Sequence, residues 1–194
     1  MKNNNGIRLG LAYLFIALVD VIQRWSGWNA WYDFRNYPYG KTFCSENCLA
    51  MYLRKYAERH AGWFPMGEDS PEASLSVLYR DEPFAFPHLA GMTVPVKTVR
   101  EILERGELLG PTTCGWHYVE GLRNDDDDQL GLFWDKAELG YGGHRLLEGG
   151  HLVCRVNGLI DHVRGKDWPT FLLEQEELHK KLKRPPNIKS EVIE

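Results

Sequence analysis

Cys114-Gly-Trp-His117 sets a thiol three residues before an imidazole, and a thiol nucleophile needs such a base beside it. His144 and His151 flank Gly149-Gly150, where backbone amides could approach an oxyanion. On residue types alone, Cys114 with His117, His144 or His151 as base describes a small thiol-dependent hydrolase. The spacing does not by itself specify that chemistry, and a structural cysteine in a folded core is the expected role.

Asp125, Asp126, Asp127 and Asp128 offer hard oxygen donors of the kind calcium takes. The alternating ligand pattern and closing glutamate of a calcium loop are missing, so a solvated acidic loop is expected and no metal. Cys44 and Cys48 lack the second Cys-x-x-Cys pair of a zinc finger. Glu120 and Asp135 would work as paired carboxylates only where folding brings them together. The expectation is a protein without a cofactor, and a non-enzymatic one.

The elements that would position these residues can be read from periodicity. Leu49, Tyr52, Leu53 and Tyr56 form one helical stripe over 46–60, with Arg54, Lys55, Glu58 and Arg59 opposite. Gly62 and Pro65 stop that helix. Ser70-Pro71-Glu72 caps a second, short helix that presents Leu75, Leu78 and Tyr79. Residues 81–95 contain three prolines and read as a loop. Thr98 and Glu101 have capping-box spacing for a helix that Gly106 ends.

Beyond that point the pattern turns to strands. Trp116-His-Tyr-Val-Glu120 and Leu130-Gly-Leu-Phe-Trp134 are two candidates, with the acidic stretch between them. Leu152 to Val163 reads as a hairpin with a type I′ turn at Asn157-Gly158. Asp167 is placed to cap a last helix carrying Trp168, Phe171, Leu172, Gln175, Leu178 and Leu182. Helices first and a small antiparallel sheet later make the fold class α+β.

The chain has 194 residues, 43% of them hydrophobic, enough for one domain with a core and an appendage. A net charge of −4 provides no basic field, which argues against nucleic acid as a partner. Four cysteines suit an oxidised extracytoplasmic domain or a reduced core. Cys44 and Cys48 are poorly spaced to bridge each other, so any bridge would run to Cys114 or Cys154.

Near the N-terminus, Leu9, Leu11, Leu14, Phe15, Ile16, Leu18 and Val19 lie in an apolar run between Arg8 and Arg24. With its flanks it reaches the roughly 20 residues that a membrane-spanning helix needs. Asp20 is the costly residue in it, tolerable near an interface. Trp25, Trp28 and Trp31 follow as an aromatic belt would. A cleaved secretion signal and a buried core helix are the alternatives. Lys2 and Arg8 favour a cytoplasmic N-terminus and a head outside. The expected organisation is a hydrophobic helix over 1–25, an aromatic-rich connector over 26–45, a head over 46–184 and a loose tail over 185–194.

Four short stretches, in order, carry a resemblance. They are Tyr56-Ala-Glu-Arg-His-Ala-Gly-Trp-Phe-Pro65, Tyr118-Val-Glu-Gly-Leu122, Leu132-Phe-Trp-Asp-Lys136 and Gly149-Gly-His-Leu-Val-Cys-Arg-Val-Asn-Gly158. Together they resemble the heads of type IV pilin-like and type II secretion pseudopilin-like proteins. The resemblance implies a pilin-like fold and a membrane-anchored assembly subunit of the cell envelope. Its partners would be membrane lipid and other subunits, copies of itself included. The family's N-terminal processing motif is not matched: Gly6 precedes Ile7-Arg-Leu-Gly-Leu11, with Leu11 in place of the expected glutamate. A soluble binding module is the remaining alternative.

Overall fold

Leu49, Leu53 and Tyr56 recur at helical spacing and form the buried stripe of α1 (Ser45–Arg59), while Arg54, Lys55, Glu58 and Arg59 face solvent. The computed structural model describes residues 45–138, 146 and 148–182. α1 ends in a tight cap. Ala61 takes a left-handed φ of 51° and Gly62 one of 88°. The Gly62 N–H donates to Ala57 O at 2.8 Å, the long bond of a Schellman motif.

Short helical pieces complete this layer: α2 (Pro71–Ser76), α3 (Leu78–Asp81), a 3₁₀ turn (Pro83–Ala85), α4 (Phe86–Leu89) and α5 (Val96–Glu104). Residues 81–95, expected as a loop, are thus largely helical turns. Pro83 and Pro87 start those turns instead of breaking them, because the first-turn N–H they lack would have no partner there. Ser70 caps α2 as expected, accepting from the Ala73 N–H. The capping box at Thr98 is not used: α5 begins two residues earlier, and Pro95 O accepts from the Thr98 N–H at 2.9 Å.

The second half of the chain forms a four-stranded antiparallel meander, β1 (Trp116–Tyr118), β2 (Gly131–Asp135), β3 (Gly150–Arg155) and β4 (Ile160–Arg164), in that spatial order. The fold is α+β. Tyr118, Phe133, Cys154 and Ile160 stand in one cross-strand row. Their face closes a core with Leu49, Leu53, Leu89, Val99, Leu109 and Trp116. His117, Trp134, Val153 and Asp161 make the row on the opposite face.

That second face is covered by α6 (Trp168–Lys181), whose Phe171 and Gln175 are buried. Trp134 meets Trp168 and Phe171 edge-on at 5.8 and 6.2 Å between ring centres. Gly131 makes room for this packing: a Cβ there would stand 3.3 Å from both Phe171 and Val153. Gln175 accepts from the Gly131 N–H at 2.7 Å, so its one buried polar group is satisfied.

Two turns differ from expectation in detail. The β3–β4 connection is a type I turn with Gly158 left-handed, since the Gly158 N–H donates to Arg155 O and only Gly158, not Asn157, has positive φ. The Asn157 side chain instead accepts from the Leu159 N–H at 2.9 Å. Asp167 does precede α6, but its carboxylate accepts from Arg164 Nε at 2.7 Å and makes no cap bond.

Among the described residues no helix is long and apolar enough to cross a membrane. The anchor over 1–25, the belt of Trp25, Trp28 and Trp31, the connector up to residue 44, Cys44, His144 and the tail over 185–194 lie outside the described residues.

Candidate functional site

Cys114 precedes β1 and is packed into the core beneath the helical layer, 1% exposed. Its backbone is pressed there by a close approach: the Gly115 N–H donates to Leu89 O, and a Cβ on Gly115 would sit 2.1 Å from Ala90 O. Burial pushes the thiol up to about 12, which keeps it protonated at neutral pH. His117 is exposed and belongs to the opposite face of the sheet, beside Trp134 at 5.9 Å. The structure does not bring Cys114 and His117 together.

His151 meets a different partner. Its Nδ1 lies 3.0 Å from Asp135 O and 3.3 Å from Asp135 Oδ1, both of which only accept. Nδ1 therefore carries the proton in the neutral ring, and Nε2 keeps its lone pair. Asp135 is fixed in turn by the Leu152 N–H, which donates to Oδ2 at 3.1 Å. Trp168 packs on the His151 ring at 4.3 Å between centres.

His117, Lys136 and Glu72 gather near this pair at one end of the sheet. Partial loss of water around the ring lowers the pKa of His117 first, and the Lys136 ammonium lowers it further, against the opposing pull of Glu72. Lys136 itself is held, donating to Glu72 Oε1 and to Pro111 O at 2.6 Å each.

An imidazole oriented by a carboxylate is one third of an acyl-transfer site. The other two thirds are not assembled among the described residues. The thiol is on the far side of the sheet, and the amides that might have received an oxyanion are engaged elsewhere. Gly149 N–H donates to Leu146 O at 3.1 Å, and Gly150 N–H points to Glu138 Oε1 at 3.5 Å.

The acidic loop is an internally bonded turn. Asp125 pairs with Arg123 Nε at 2.8 Å, Asp126 accepts from the Arg123 N–H, and Asp127 accepts from the Gln129 N–H. Asp128 is exposed. No group of three or more potential metal ligands occurs among the described residues. Glu120 and Asp135 do not pair. Glu120 is buried and instead takes the Gly67 N–H at 2.8 Å and the Ser74 hydroxyl, tying α2 and the loop before it to the segment after β1.

The other two described thiols are also raised by burial. Cys154 is buried and raised to about 12, and burial followed by Glu46 raises the half-buried Cys48. All three described cysteines are free, so of the two alternatives the structure has the reduced one at Cys48, Cys114 and Cys154.

Sequence reading passed over two surface features. Phe84, between Pro83 and Ala85, is 79% exposed, and the apolar Pro83-Phe-Ala-Phe-Pro87 run was the signal for it. A groove of about 450 Å³ runs beside α6, lined by Gln129, Arg155, Leu173, Gln175, Leu178 and Lys181. No local pattern announces it, because its walls come from three separate elements. Compared with known proteins, no family model matches the chain, and no curated protein or solved structure shows significant similarity to it.

Proposed function

We propose that the chain is a non-enzymatic assembly subunit of the cell envelope, pilin-like in its head and held to the membrane by its N-terminal hydrophobic segment. One observation carries the reading. Tyr118 Oη donates to Pro65 O at 2.8 Å, and beside it the Phe64 N–H donates to Leu122 O at 3.2 Å. The helix-terminating Gly-x-Phe-Pro turn and the tyrosine strand, which are far apart in sequence, therefore pack as one unit. α1, that turn, the tyrosine strand, the strand ending in Trp134-Asp135 and the closing hairpin follow in the order the pilin-like resemblance implies, with α2 to α5 between the turn and β1.

One further point supports it. Several of the described groups with chemical potential are committed to structure: Cys114 and Cys154 to the core, Glu120 to Ser74 of α2 and the Gly67 N–H, Lys136 to Glu72. In the proposed arrangement Leu9 to Ile22 anchors the chain in lipid, the N-terminus is cytoplasmic and the head stands outside. Trp25, Trp28 and Trp31 set its depth at the interface. Neighbouring subunits pack laterally through their helices, and the exposed Phe84 is a contact point between heads.

The test is fractionation and cross-linking of the full chain in intact cells. The expected result is a carbonate-resistant membrane pellet with a ladder of cross-linked species. Leu14→Arg with Leu18→Arg should move the protein to the wash, and Phe84→Ala should thin the ladder while leaving the pellet unchanged. A wild-type protein found wholly in the carbonate supernatant as a monomer would overturn the proposal.

A further inference from the structure

No further inference is drawn: the strongest candidate, the open groove beside α6 where Leu173 stands exposed between Gln129 and Leu178, has nothing in the structure to show what covers it.

Discussion

Replacing Glu120 tests whether a buried carboxylate holds the helical layer to the sheet. Its Oε1 receives two donors, the Gly67 N–H and the Ser74 hydroxyl, and Ser74 Oγ accepts in turn from the Glu68 N–H at 3.0 Å. Ser74 is fully buried, so water cannot replace the lost acceptor at little cost. Gly67 is exposed and its N–H can turn to water, whereas the orphaned buried Ser74 hydroxyl costs about 1–3 kcal/mol, so Glu120→Ala should destabilise by about 1–3 kcal/mol. Glu120→Gln keeps an acceptor of the same shape but loses the charge, and should cost about 1–2 kcal/mol. Adding Ser74→Ala removes the orphaned hydroxyl. The double variant should therefore be less damaged than the sum of the singles, with a coupling of about 1 kcal/mol or more. Urea unfolding of the full chain in mild detergent, followed by tryptophan fluorescence, measures wild type, the three single variants and the double variant if the slope with denaturant stays constant. A Glu120→Ala variant within about 0.5 kcal/mol of wild type, or strict additivity in the double variant, would refute the reasoning.

Ala61 holds a left-handed φ that glycine adopts freely, so Ala61→Gly should stabilise by about 0.5–1 kcal/mol in the same unfolding assay, after allowing for the entropy glycine brings to the unfolded chain. His88 is buried and its pKa is lowered to about 4, so the folded state takes up its proton later than the unfolded chain does. Stability linked to it is complete above about pH 6.5 and lost as pH falls towards 4. Wild type should therefore lose about 2 kcal/mol more than His88→Gln between pH 7 and pH 5, and parallel pH profiles would contradict this. Cys114 and Cys154 should react with a thiol reagent at pH 8 at least about 1,000-fold more slowly than the unfolded chain, as masked thiols do. Gly115→Ala places a methyl against Ala90 O and should cost more than about 3 kcal/mol or abolish folding, read by soluble yield and near-UV circular dichroism.

Much of the α+β layout was legible because it rests on periodicity. The stripe of α1, the Ser70 cap and the buried face of α6 all follow from apolar spacing and one short polar side chain. The strands fell within a residue or two of expectation for the same reason. What failed were choices between local chemistries of nearly equal energy. A proline can break a helix or begin one, and only the neighbouring turns decide which at Pro83 and Pro87. Asn-Gly suits a type I′ turn, yet the three-residue loop it occupies takes a type I turn and a left-handed glycine, which fits the Arg155 to Leu159 pairing. Asp167 was free to cap α6, but Arg164 on β4 offered a charged donor within reach.

The candidate site was less legible, and the reason lies in the arithmetic of extended chain. Two residues three apart share a face on a helix but point to opposite faces on a strand. Cys114 and His117 are three apart at the start of β1, so the spacing that suggested a nucleophile and base separates them once the segment is extended. The partner His151 does find comes from strand register, which sequence does not display. Asp135 ends β2 and aligns with Leu152, one residue along β3 from His151, so the carboxylate reaches the ring and the neighbouring N–H together. The same register puts Phe133 and Cys154 into the core and leaves Trp134 and Val153 for α6 to cover. A slip of one residue between β2 and β3 would exchange those faces, turning the His151 ring into the core and Cys154 towards α6. The pairing that orients His151 and the burial that raises the Cys154 thiol are thus two consequences of one register.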